Sequence, residues 1–284
     1  MSLAKILVAM DGSEGDASAL TTAVRAARPF NAHIAALFAH PDPAEAMPLI
    51  GVPLSAEAMG AIIDGNTKIF RTAAKHIHET IAQVCKAEGA RAVSAPMRGD
   101  AVTVSFRESI GYPPHVVGIA ASLSDLTVMA PCAGSPKAFE TALDLTLAQR
   151  RPVLLAASPP RAFRKIMIGW NNSAPAAHGI SAAMPFLEKA EIIEIVCLQR
   201  GGAVDFNTDA VTAYLGAHGL ACSEVHLRVP DSAPHASLAK FAGDHRADLL
   251  VIGGFSHSRV RETLFGGVTN EFLREPPLPV LLAH

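Results

Sequence analysis

Short aliphatic runs alternate with longer amphipathic stretches along the whole of this 284-residue chain. In its first half, runs of strand length fall at Lys5–Met10, His33–Ala39, Ala90–Met97, Leu126–Ala130 and Pro152–Ala156. Helical spacing fills the gaps at Gly15–Ala27, with Ser13 as candidate N-cap, and at Val116–Leu123. A long helical pattern from Ser55 to Glu88 is expected to break near Gly65. The second half repeats the scheme, with strands at Lys165–Gly169, Glu191–Cys197, Cys222–Val229, Leu249–Ile252 and Val280–Leu282. Aliphatic strands alternating with helices predict a parallel sheet covered on both faces.

The repetition extends to the letters. AKILVAMDGSEGDASALTTA at the start is echoed by RKIMIGWNNSAPAAHGISAA from Arg164, pairing Lys5 with Lys165, Asp11 with Asn171 and Ser13 with Ser173. SDLTVMA is echoed by ADLLVIG, and RPVLLA by LPVLLA. Three matching strands in the same order are an internal duplication. The joint falls at the proline-bearing Ser158-Pro159-Pro160-Arg161. Two domains are therefore expected, at 1–158 and 162–284, the first carrying an insertion at 41–66.

The stretch from Asp248 to Leu273 concentrates the candidate chemistry. Its strand ends in Gly253-Gly254, where a missing Cβ permits positive φ or a close approach of other groups. A polar loop follows, and Gly266-Gly267 then opens a helical pattern (Val268, Phe272, Leu273) that stops before Pro276. Strand, polar loop and helix N-terminus in that order form an anion cradle, because unpaired backbone N–H groups and the positive end of the helix dipole point the same way.

Composition narrows the function classes. Half of the residues are hydrophobic, enough for a large aliphatic core. A net charge of −2 and the absence of a Lys/Arg cluster argue against nucleic-acid backbones. With no signal-like leader and no apolar stretch of spanning length, the expected location is the cytoplasm, away from membranes. Cys85, Cys132, Cys197 and Cys222 form no C-x-x-C pair and are read as small buried or half-buried residues in a reducing cytoplasm. His76 and His78, two apart on a helix, cannot share one face, and H-E-x-x-H is absent, so no metal site is expected. G-x-S-x-G, a Walker lysine and the kinase motif set are also missing, which leaves binding with at most slow hydrolysis.

The loop and the duplication together resemble the universal stress protein family in its tandem, two-domain form. The family's nucleotide loop reads G-x2-G-x9-G-[S/T] just after the fourth strand; here Gly253, Ser256, Gly266 and Gly267 occupy those positions, and Ser256 and Gly267 depart from the pattern. GGFSHSRVRETLFGGVTNEFLREPPLPVLLAH resembles the end of these tandem proteins throughout, and the resemblance covers nearly all of the chain. It implies two tandem open parallel-sheet α/β sandwich domains, of the adenine nucleotide alpha hydrolase-like, Rossmann type. They would form a pseudo-dimer through their fifth strands, and a homodimer of the whole chain is expected beyond that.

The resemblance also implies an adenine nucleotide, ATP or ADP with or without Mg2+, at the carboxyl ends of the strands. Carried over to the second half, the nucleotide-binding residues are Asn171, Gly253, Gly254, Ser256, Arg259, Gly266, Gly267 and Val268, spanning the loop 253–268. Asn171 replaces the family's aspartate, keeping a donor and an acceptor but losing a charge-assisted contact. Ser256 either strains a left-handed position by about 1–2 kcal/mol or offers its hydroxyl to phosphate. Gly267 forgoes a hydroxyl contact worth about 1 kcal/mol. Arg259 and His257 lie in the same loop: Arg259 is open between phosphate and packing roles, and His257 is read as structural. In the first half Asp11, Gly12 and Ser13 keep the first motif. Ala130-Pro131-Cys132-Ala133-Gly134-Ser135-Pro136 replaces the loop, however, and its two prolines lack N–H donors, so that site is degenerate. Trp170 is read as core packing, and Asp125 and Asp248 as paired turn residues.

The function implied is a cytoplasmic stress-response protein with a regulatory nucleotide in its second half and a protein partner of unknown identity. The alternatives are a nucleotide-free interaction module and, third, a slow ATP hydrolase.

Overall fold

A computed structural model describes residues 3–46, 55–97, 99–199, 207–228, 234–254 and 268–284, with the side chains of 234 and 268 outside the description. The first half runs β1 (Lys5–Met10), α1 (Gly15–Ala27), β2 (His33–His40), α2 (Ala56–Glu88), β3 (Arg91–Ala92), β4 (Thr103–Ile110), α3 (Pro113–Ser122), β5 (Leu126–Met129), α4 (Pro136–Leu143) and β6 (Val153–Leu155). The second runs β7 (Lys165–Trp170), α5 (Ala174–Leu187), β8 (Ile192–Gln199), α6 (Asp209–Ala217), β9 (Ser223–Arg228), α7 (Pro234–Asp244), β10 (Leu249–Gly253), α8 (Val268–Arg274) and β11 (Val280–Ala283).

All of these strands join one sheet in the order β3-β4-β2-β1-β5-β6-β11-β10-β7-β8-β9. Pairing is parallel within each half and antiparallel only at the seam, where Val280, Leu281 and Leu282 face Leu155, Leu154 and Val153. The fifth strands of the two halves thus form the expected pseudo-dimer. Neighbouring strand residues feed opposite faces: Ile6 and Val8 pack in one buried cluster, Leu7 in the other. The first cluster crosses the seam region, since Phe30 meets Phe186 edge-on with ring centroids 6.0 Å apart. Asp125 and Asp248 act alike, each accepting two backbone N–H bonds at the start of a first strand, from Ala4 and Lys5 and from Arg164 and Lys165.

Several sequence expectations need correction. The third long strand is β4, not Ala90–Met97; only Arg91–Ala92 of that stretch pairs. The alternation Val102, Thr103, Val104, Ser105, Phe106 was the overlooked signal. Helix α2 does not break at Gly65. Ser55 caps it through Ala58 N, Gly65 has open space around it, and one glycine's cost of about 1 kcal/mol is spread over a 33-residue helix. Helix α3 starts at Pro113, three residues earlier than expected, because proline suits the first turn. Helix α4, followed by a π-helical turn at Asp144–Ala148, fills a stretch in which no helix was expected. No disulfide joins any of the four cysteines; Cys85, Cys132 and Cys197 are buried and Cys222 is half-buried.

Candidate functional site

In each half the chain begins in mid-sheet, moves outward, then crosses to the other side. The order reverses beside the first strand, between β1 and β5 and between β7 and β10. Open α/β sheets bind ligands at the carboxyl ends of the strands flanking such a switch point. The register Ile252 opposite Gly169 carries Gly253-Gly254 and Trp170-Asn171 off the sheet side by side. The fold therefore brings Asn171, Gly253 and Gly254 to one crevice. Val268 opens α8 nearby in sequence, while Ser256, His257, Arg259, Gly266 and Gly267 lie outside the described residues.

Neither glycine of the first pair has positive φ; both serve close approach. A Cβ on Gly253 would lie 2.4 Å from Ala176 N and 2.5 Å from Pro175 C, so the strand end sits directly on the first turn of α5. A Cβ on Gly254 would lie 3.1 Å from the Thr146 methyl, in the π-helical turn of the other half. Gly254 N donates to Ala283 O at 2.7 Å, and Gly254 O faces His284 Nδ1 at 2.8 Å. Across the crevice, Asn171 Oδ1 accepts from Ser173 Oγ at 2.6 Å and Ser173 N at 3.3 Å. Ser173 Oγ in turn caps α5 through Ala176 N. Trp170 is buried, with its indole N–H donated to Asn207 O.

The first-half crevice is closed differently. Asp16, buried at the start of α1, accepts from Asp11 N at 3.2 Å and Gly12 N at 2.9 Å, and Asp11 Oδ1 accepts from Ser13 N. Burial, and then the neighbouring Asp11 carboxylate, push the Asp16 carboxyl up to about 7. Ser13 is not the cap: Glu14 holds that position without a side-chain bond. Gly12 (φ +85°) lies beneath α2, where a Cβ would come 2.6 Å from Ala73 Cβ. His40 helps seat that helix. Its ring stacks on Phe70 at 4.4 Å, and its two nitrogens face Pro41 O and Glu108 Oε1. Beyond β5, Cys132 N donates to Leu273 O of the other half, and burial, then Asp11, push its thiol up to about 12. Arg274 lies over the Phe139 ring. Lys137 is exposed.

Asp16, Thr146 and His284 shape the two crevices and were missed in the sequence reading. Asp16 alone left a signal, since its repeat partner is Ala176. Among the described residues no group of three or more His, Cys, Asp or Glu side chains is placed to hold a metal, and no helix is long and apolar enough to cross a membrane.

The family model described as "Universal stress protein family" matches residues 3–101 and 128–284. The chain belongs to the universal stress protein family. Its fold is similar to that of a universal stress protein from Archaeoglobus fulgidus, at 15% identity over 98% of this chain and 95% of that one, with a TM-score of 0.64. It is also similar to a functionally unknown protein from Pseudomonas aeruginosa, at 14% identity, 99% and 92% coverage and a TM-score of 0.57. At these identities the likeness is one of fold. A search of curated proteins found no match.

Proposed function

We propose that this universal stress protein binds an adenine nucleotide, ATP or ADP, in its second half as a regulatory ligand, with hydrolysis slow or absent. The observation carrying this reading is the convergence of Asn171 with Gly253-Gly254 at the switch point between β7 and β10. These are the residues that the family's motif assigns to the ligand, and the fold could have scattered them. Asn171 would meet the ribose or adenine edge, and the segment after Gly254 the phosphates. In this reading the first half holds no nucleotide, and the protein works in the cytoplasm through a protein partner, with a second copy of itself as a further assembly.

One specific observation favours the rival, a nucleotide-free interaction module. Gly254 already directs its N–H to Ala283 and its carbonyl toward His284, and Asn171 Oδ1 already holds Ser173. The deciding experiment is mass analysis of small molecules released when freshly purified protein is denatured, beside calorimetric titration with ATP and ADP. One adenine nucleotide per chain, lost on Gly266→Val or Asn171→Ala, is expected. No released nucleotide and no binding heat at millimolar ATP would establish the rival.

A further inference from the structure

The outward faces of two equivalent helices differ in a way that the fold does not require. Helices α3 and α7 each precede the strand that flanks the switch point, β5 and β10. Their buried positions align as Val117 with Leu238 and Ala121 with Ala242. That alignment sets Ile119 against Lys240 and Leu123 against Asp244. In α7 the pair is an exposed i,i+4 salt bridge. In α3 it is apolar and open to solvent, with Ile119 59% and Leu123 78% exposed. Tyr112 (52% exposed) and His115 precede them at helical spacing, so one stripe runs along the whole of α3.

The stripe opens at its N-terminal end into a groove of about 540 Å³ between α3, α4 and the π-helical turn. Leu143 and Leu147 supply apolar lining, Glu140 and Asp144 supply carboxylates, and no Lys or Arg lines it among the described residues. Gln149 Nε2 donates to Asp144 Oδ2. Arg151, at the far end of the stripe, is engaged with Ser122 O. An apolar stripe beside an acidic groove repels nucleic acid and anionic lipid and attracts a basic apolar surface. A second copy docked with its α3 parallel to this one would bring like carboxylates together, which disfavours that self-pairing.

We infer that the α3 stripe and the Glu140–Asp144 groove form the docking surface for a partner protein, which presents a basic amphipathic helix with apolar residues at i and i+4 and Lys or Arg flanking them. The test is fluorescence anisotropy of the full chain with a labelled synthetic peptide, leucine at i, i+3, i+4 and i+7 and lysine elsewhere, beside the same peptide with glutamate for lysine. The lysine peptide is expected to bind and the glutamate peptide not. The double variant Ile119→Lys/Leu123→Asp copies the pair that α7 already tolerates, and is expected to keep the wild-type melting curve while weakening binding roughly tenfold. Glu140→Gln/Asp144→Asn leaves the apolar stripe intact and is expected to remove the preference for lysine over glutamate. Equal binding by wild type and both variants would overturn the proposal. So would a wild-type dimer that the Ile119/Leu123 variant turns into monomer in sedimentation, which would assign the stripe to a second copy. Vesicles of phosphatidylglycerol retained by wild type and not by that variant would assign it to a membrane instead, and overturn it equally.

Discussion

In the first half the turn after the first strand is closed by two carboxylates and covered by a long helix; in the second it is closed by an amide and a serine. The central strand order is the same on both sides of the seam, β3 being an addition at the first half's edge, so the two turns differ in the helix that covers one of them and in a few side chains. Asp16 has Ala176 as its counterpart, and Asp11 has Asn171. Where a buried carboxylate takes the backbone donors at the strand end, α2 can pack onto the turn through Ala73. Where it is missing, the turn relies on Asn171 and Ser173, and Gly253 is pressed against the helix start. A duplicated domain has thus kept one architecture while the chemistry of its two crevices diverged.

The largest test of this contrast is at Gly253. A methyl there meets backbone atoms of Pro175 and Ala176, which cannot rotate away. Gly253→Ala is expected to destabilise the second half by about 3 kcal/mol, read as a fall in the urea midpoint. It follows that Gly253 variants report on folding before ligand binding. Gly254→Ala is tight only against the Thr146 methyl, a side-chain atom of the other half, with Ala283 O and the Thr269 methyl at ordinary contact distance. Its milder loss should be largely recovered by adding Thr146→Ser, a non-additivity that measures the contact across the two halves.

Asp16 sharpens the comparison through pH. Its folded carboxyl is raised to about 7 from 3.8, so between those values the folded state holds a proton that the unfolded state has released. Stability from this group is therefore greatest below the unfolded value and falls as pH rises toward about 7, with a slope approaching about 1.4 kcal/mol per unit. Denaturant melts of wild type should lose about 2 kcal/mol between pH 5 and pH 7. Asp16→Asn should remove most of that slope, and a slope unchanged in the variant would show that Asp16 is not its source. The second half, with Ala176, contributes no equivalent loss.

Much of the fold was legible because strand and helix periods differ so clearly in an aliphatic chain, and because the repeat could be checked against itself. The long strand at Thr103–Ile110 escaped because its outer end turns polar, in Arg107, Glu108 and Ser109, as befits a strand covered by only a two-residue neighbour. The unbroken α2 escaped because tertiary anchors, Ala73 on Gly12 and Phe70 on His40, outweigh a glycine's helix penalty. At the candidate site, Asn171 and the Gly253 pair could be named from the motif. What no local pattern announced was the long-range engagement of Gly254 by Ala283 and His284 at the end of the neighbouring β11, and by Thr146 across the seam.

At Asn171 the comparison bears on the proposed ligand. Asn171→Asp restores the residue found at Asp11, and a charge-assisted bond in place of a neutral one is worth about 1 kcal/mol. ATP affinity by calorimetry should rise roughly fivefold. The reciprocal Asp11→Asn should leave it unchanged. A loss of affinity from the first-half variant would place the nucleotide in the wrong crevice for this reading.

The smallest effect separates the two serines that the repeat aligns. Ser173 Oγ accepts from Ala176 N and caps α5, and it also donates to Asn171 Oδ1. Ser13 occupies the matching place, but Glu14 is the N-cap of α1, without a side-chain cap bond, and the Ser13 backbone N–H goes to Asp11. Ser173→Ala should therefore cost about 1 kcal/mol of stability, and Ser13→Ala no more than about 0.5 kcal/mol. Equal losses would mean that the first turn still depends on its serine, and that the Asp16 carboxylate has not taken over the closing of that crevice.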